Sequence, residues 1–209
     1  MFITVIEAVP SDLQEAVHCL TAAFAQDPIT GFVLHTSDGY TVRLMQFFSL
    51  LMRARIALQM PVLVAKDSTG TRGAVMGYDT HHPVWPADIA AEWERFENGT
   101  PGMAGRLAAY ERIAEKFKPP EPHYYLGAIG VDPGAQGRRV GGALLRSFCE
   151  RSASDETSRG VYLETAQEKN VPFYERAGFV ETGRGILGDS TLWCMYLPHG
   201  GRKVLGQGR

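Results

Sequence analysis

The segment His123 to Leu145, HYYLGAIGVDPGAQGRRVGGALL, constrains the fold more than any other stretch of this 209-residue chain. It opens on an apolar, aromatic-rich run that ends at Asp132-Pro133, which predicts a strand over 123–131. A loop holding Gly134, Gln136 and Gly137 follows, and then a helical pattern from about Arg138 to Ser152. Strand, glycine loop and helix in direct succession form a βα unit. The start of its helix offers unpaired N–H groups and about half a positive charge, which suits a phosphate or pyrophosphate. Glycines there let a ligand approach the backbone, although a plain βα turn explains the glycines equally well. A dinucleotide-binding unit is a further reading, because Glu164 closes the next strand about twenty residues after Gly142, where a ribose-binding acid would stand. Two facts oppose it: the motif lies past the middle of the chain, and only one more βα unit follows.

The rest of the chain supplies the remaining layers. Residues 2–9 alternate as a strand, and Ser11 with Gln14 has the spacing of a capping box before the stripe Leu13, Ala16, Val17, Leu20, Phe24. Asp27-Pro28 ends that helix, and 31–39 reads as a loop. A second helix is expected over 40–58, then a hairpin from strands 61–65 and 73–78. An insert over 81–122 reads as two helices broken at Asn98 to Gly102, the second with Met103, Leu107, Tyr110, Ala114 and Phe117 on one face. A strand at 161–165, a short helix at 171–177 and strands near 179–182 and 191–197 complete the order. That order describes one domain over 1–198, a mixed sheet flanked by helices, with a loose tail at 199–209.

Composition bounds the function. The chain is 44% hydrophobic and 21% charged with a net charge of -2, so neither nucleic acid nor an anionic membrane is expected as partner. No apolar stretch approaches the length of a membrane span, and the start MFITVIEAVP lacks a signal-peptide pattern, so a cytoplasmic location is expected. Cys19, Cys149 and Cys194 are dispersed and odd in number, which predicts no disulfide framework and no metal.

A second constellation lies in VYLETAQEKNVPFYERAGFVETG, residues 161–183. Asn170 and Tyr174 are four apart and share a face of a short helix. A phenol (pKa about 10) holds its proton where a thiol (about 8.5) loses one, so a tyrosine can protonate a departing thiolate. Core packing beside Phe173 is the competing reading of Tyr174.

Together the two segments resemble the GNAT superfamily of acyl-CoA-dependent N-acetyltransferases. Its Gln/Arg-x-x-Gly-x-Gly/Ala pattern is matched by Gln136, Gly137, Arg138, Arg139, Val140 and Gly141, and its Asn…Phe-Tyr-x-x-x-Gly-Phe by Asn170, Phe173, Tyr174, Gly178 and Phe179. More narrowly, Leu163-Glu164-Thr165, Asn170 to Arg176, Trp193-Cys194-Met195 and the long insert are similar to the puromycin N-acetyltransferase-like branch. Arg139 stands where the family has the first glycine of Gly-x-Gly.

The resemblance implies a single α/β (α+β) domain with a mixed, mostly antiparallel sheet. It implies acetyl-CoA as co-substrate, its pantetheine arm along Ile129, Gly130 and Val131, and its diphosphate on Gln136 to Gly142. Asn170 and Phe173 would help to hold the coenzyme, and Tyr174 would serve as general acid in a direct attack by a small-molecule amine. Glu164 is the candidate base, with a solvated or Arg-paired strand-end glutamate as the competing reading. Phe32 in the 26–40 segment and Trp85 and Trp93 in the insert are candidates for the acceptor pocket, with plain core as their alternative. A non-catalytic acyl-CoA-binding module is the rival function, and a homodimer is left open.

Overall fold

The computed structural model describes residues 2–200. A seven-stranded sheet carries the fold: β1 Thr4–Glu7, β2 Val62–Asp67, β3 Gly70–Tyr78, β4 Tyr124–Val131, β5 Gly160–Thr165, β6 Val180–Leu187 and β7 Ser190–Pro198, in the spatial order β1-β2-β3-β4-β5-β7-β6. Every neighbouring pair is antiparallel except β4 and β5, which the crossover helix α6 (Val140–Ser154) joins in parallel. The remaining helices are α1 Leu13–Ala23, α2 Pro28–Leu34, α3 Tyr40–Ala57, α4 Ala87–Asn98, α5 Met103–Phe117 and α7 Val171–Arg176. None of the described helices is long and apolar enough to cross a membrane.

The two sheet faces bury separate cores, and strand alternation assigns residues to them. Val62, Val64, Ala74 and Met76 face the layer of α1, α3 and α4, with Leu20, Leu44, Phe48 and Phe96. Leu63, Ala65, Val75 and Leu163 face α6 and α7, with Leu144, Phe148 and Tyr174.

Several local expectations change. No Ser11–Gln14 capping pair forms; the Asp12 carboxylate accepts the Val9 N–H at 3.0 Å instead, and α1 starts at Leu13. The 31–39 loop begins as helix α2, because Asp27-Pro28 closes one helix and opens the next: Asp27 Oδ1 accepts the Thr30 N–H at 3.0 Å, with Pro28 at the first helical position. β6 extends to Leu187, well past the expected 182. Its Gly183 and Gly185 hid it from the strand pattern, yet they are what lets α5 dock on it. A Cβ on Gly183 would strike the Phe117 ring, and one on Gly185 would lie 2.6 Å from Ile113. The tail expected over 199–209 lies, from 201 on, outside the described residues; His199 is held by the Arg159 carbonyl and by Ser152 Oγ.

Candidate active site

β4 and β5 pair only at Tyr124–Val161 and Tyr125–Tyr162, then part. Beyond Tyr125, β4 keeps its ladder with β3 and has no partner on the β5 side. The register with β3 slips between Met76 and Gly77, so Gly127 is the unpaired residue of a bulge. The bulge reverses the alternation: Leu126 faces the α6 core, whereas Ala128 faces the α1–α3 core. It opens the sheet at the place where a cavity of about 520 Å³ enters.

That cavity gathers distant parts of the sequence. β4 contributes Tyr125 to Ile129, β5 contributes Glu164 and Thr165, and the segment after it contributes Gln167, Asn170 and Tyr174. Asp27, Thr30 and Val33 close it from α2 and its cap, Phe47, Leu51 and Arg55 from α3, and Trp85, Trp93, Tyr110 and Glu111 from the insert. The tryptophans pack edge to face at 5.4 Å, Trp93 also meets Phe47 at 5.8 Å, and Trp85 Nε1 donates to Tyr78 Oη at 2.8 Å. They are at once core and wall.

Glu164 ends β5 inside a tyrosine cluster. Tyr110 Oη donates to its Oε2 at 2.8 Å and lies 2.9 Å from Tyr125 Oη. Burial pushes its carboxyl above the ordinary carboxylate range, and the surrounding hydroxyls of Tyr110, Tyr125 and Tyr162 only partly oppose that shift. Tyr174 is 6% exposed, with its ring edge-on to Phe173 and Phe179. Burial, and secondarily the charge of Asp27, raise its phenol above the ordinary value. Among the described residues no hydrogen bond engages that hydroxyl, and Tyr174 lines the cavity. Asp27 is itself pushed up by burial. The three thiols are poor nucleophiles: burial lifts Cys19 and Cys194 to about 11 and Cys149 to about 12.

The glycine loop stands outside this cavity. The helix α6 starts at Val140, not at Arg138 as expected, because Arg139 takes a left-handed conformation (φ 64°) at the N-cap. The first backbone acceptance there is Ala143 N–H to Arg139 O, which leaves the N–H groups of Val140, Gly141 and Gly142 free. Gly137 is also left-handed (φ 77°), and no atom lies within 4 Å of where its Cβ or that of Gly142 would sit. Open glycines around unpaired N–H groups fit a diphosphate. The exposed Gln136, Arg138 and Arg139 surround this cradle. A left-handed L-residue costs about 1–2 kcal/mol, which glycine's extra unfolded-state freedom offsets only in part. We therefore predict that Arg139→Gly raises unfolding stability by up to about 1 kcal/mol in urea titration and shifts coenzyme affinity by no more than a few-fold. A lower stability would contradict the strain.

Of the residues singled out in the sequence, the cavity brings together Ile129, Glu164, Asn170, Tyr174, Trp85 and Trp93. Val131 and Phe173 do not line it; they pack against the α6-side core, both beside Gly141. Gly130 has a packing role, since a Cβ there would lie 2.9 Å from Ala23. Phe32 is placed elsewhere: it packs under Gly188 and Leu187 and does not line the cavity. Sequence reasoning missed Asp27, Arg55, Tyr125 and Glu111. The helix-start signal Asp27-Pro28 could have revealed the first, but nothing local marks Arg55 within its apolar helix.

A model of the acetyltransferase (GNAT) family matches residues 71–179. The N-alpha-acetyltransferase RimI of Mycobacterium tuberculosis is 35% identical over 83 residues, which cover 38% of this chain and 49%, about half, of that relative. Among solved structures, a histone acetyltransferase HPA2 and related acetyltransferase from Corynebacterium glutamicum is 28% identical with a TM-score of 0.75, covering 98% of this chain and 100% of the other. A GNAT family acetyltransferase from Brucella melitensis, solved in complex with acetyl-CoA, is 18% identical with a TM-score of 0.52, covering 96% of this chain and 90% of that one.

Proposed function

Starting from the acetyltransferase (GNAT) family, to which this chain belongs, we propose that it transfers an acetyl group from acetyl-CoA to the amine of a small molecule by direct attack. The observation that carries this reading is the single cavity in which Glu164, Tyr174, Asn170 and the unpaired stretch of β4 meet under an aromatic wall. When bound, acetyl-CoA supplies an activated acetyl thioester; the chain supplies position and proton traffic. The glycine loop and the free N–H groups at 140–142 hold the diphosphate. Beyond Tyr125, the β5-facing edge of β4 offers backbone groups to the amides of the arm and to the acetyl oxygen, an oxyanion-type role.

Glu164 takes the proton that an attacking ammonium must lose, aided by a carboxyl that burial shifts above the ordinary range. Tyr174 offers its hydroxyl to the departing sulfur. No buried thiol is ionised enough to make an acyl-enzyme, which favours one direct step. The aromatic wall of Trp85, Trp93 and Phe47 supports an acceptor whose amine sits on an apolar or aromatic body.

Release of free CoA thiol, followed over a panel of primary amines with acetyl-CoA, tests the reading. Turnover with at least one amine supports it. A protein that binds acetyl-CoA and releases no thiol with any of them is a binding module instead. If Trp85 and Trp93 wall the acceptor site, Trp93→Ala raises the acceptor KM about tenfold or more, the equivalent of one aromatic contact, and leaves the acetyl-CoA KM within a few-fold. Equal shifts in both constants would assign Trp93 to the core alone.

A further inference from the structure

Among the described residues Arg55 is the one guanidinium that lines the cavity, and it is 4% exposed. It stands in the last turns of α3 over the Tyr78 ring, with its guanidinium carbon 4.4 Å from the ring centroid. Of its five N–H donors, Nη1 bonds the Leu51 carbonyl at 3.0 Å and Nε has no partner. Its Nη2 lies beside the β4 bulge, 3.5 Å from where a Cβ on Gly127 would be. Among the described residues it has no ion-pair partner; its polar surroundings include the hydroxyl-bearing rings of Tyr78, Tyr125 and Tyr110. Glu164, which lines the same cavity, accepts from the Tyr110 hydroxyl and forms no ion pair with Arg55 among the described residues.

A desolvated cation without a counter-charge is costly, and a cation–π contact recovers only part of that cost. The cavity itself is where the missing anion can enter. Its source is narrowed by the fold: no residue from Gly134 to Gly142 lines the cavity, so the coenzyme's phosphates, held at that loop, lie outside it. The acceptor remains. The same cavity offers carboxylates at Asp27, Glu111 and Glu164 to a cationic amine and one planar, five-donor fork to an anion. We propose that Arg55 binds a carboxylate carried by the acceptor, so that the substrate class is an amino acid or amino-acid-like amine with an apolar or aromatic body. The substrate class rests on the acetyl-transfer reading above; the anion site itself does not.

The test compares wild type with Arg55→Met and Arg55→Lys in two measurements. In thiol-release kinetics, the proteinogenic amino acids are each set against their carboxamides. At least one amino acid should exceed its carboxamide about tenfold or more in kcat/KM, as expected for a desolvated charge pair. The preference should vanish in Arg55→Met and shrink in Arg55→Lys, which keeps the charge but loses the fork. In thermal shift, the N-acetylated amino acids should raise the melting temperature of wild type but not of Arg55→Met, and their amides should raise neither. Free Arg55→Met should melt no lower than wild type, because an apolar residue replaces an unpaired buried charge.

Carboxamides used as well as acids, or an acid preference that survives Arg55→Met, overturns the proposal and leaves acetyl transfer standing. So does a uniform loss of kcat for acids and amides alike, which would place Arg55 on the acetyl oxygen. Thermal shifts confined to acids and to wild type, with no thiol release from any amine, would sustain the anion site and refute the transfer. No shift and no release refutes both.

Discussion

Tyr174→Phe should lower turnover by about 10²–10⁴-fold, the range typical of a positioned general acid, while the acetyl-CoA binding constant stays within a few-fold. The substitution suits the structure because the two functions of Tyr174 are separable. Its ring is buried edge-on against Phe173 and Phe179, and phenylalanine keeps both contacts. Among the described residues its hydroxyl has no hydrogen-bond partner, and the residue lines the cavity, so removing the hydroxyl leaves no described partner unpaired. The melting temperature should therefore barely move. The raised phenol pKa adds a second readout: the group stays protonated across the neutral and mildly alkaline range, so the ratio of mutant to wild-type turnover should be flat with pH. Wild-type turnover in Tyr174→Phe at saturating substrates would remove Tyr174 from the chemistry and return it to the core. A ratio that changes steeply near neutral pH would assign the affected proton to another group.

The parts of this site that were legible in the sequence are those fixed by local backbone physics. A strand that runs through a glycine loop into a helix can be read from residues 123–145, and the spacing of Asn170 and Tyr174 pairs two residues that line one cavity, although Asn170 is the N-cap of α7 and not part of it. The α6 start was misplaced by two residues because a left-handed arginine is rare, and a helical pattern running back to Arg138 gives no warning of it. The acceptor end was largely illegible. Arg55, Asp27 and Tyr125 come from three elements far apart in sequence, and they converge only because β4 bulges at Gly127 and parts from β5. A bulge is a matter of register between two strands, and neither strand's own pattern contains it. Phe32 lies off this cavity for a related reason. Its segment folds as α2, and the helix turns that side chain toward Gly188, not toward the cavity.

Glu164→Gln should do two opposite things, and their combination is what identifies a base. Gln keeps the shape and can still accept from Tyr110, so the cluster should hold, but it cannot take a proton from the amine. Turnover should fall by about 10²–10⁴-fold. The wild-type rate should drop as pH falls through a carboxyl titrating above its ordinary range, and that acid limb should be absent from the residual activity of Glu164→Gln. Stability should move the other way. Because burial raises the folded-state carboxyl above its unfolded value, the unfolded chain gives up its proton first as pH rises. Folding stability is then full below the unfolded pKa and declines as pH climbs through the folded one. Gln cannot ionise and escapes that decline, so above this window Glu164→Gln should melt higher than wild type, and below it the two should melt alike. Denaturant titrations at acidic and at neutral pH, run beside the thiol-release profile, measure both effects. If Glu164→Gln is slower but also less stable at neutral pH, the carboxylate is a structural anchor of the tyrosine cluster. The base would then be sought at Asp27, the other buried carboxylate on the Tyr174 side of the cavity.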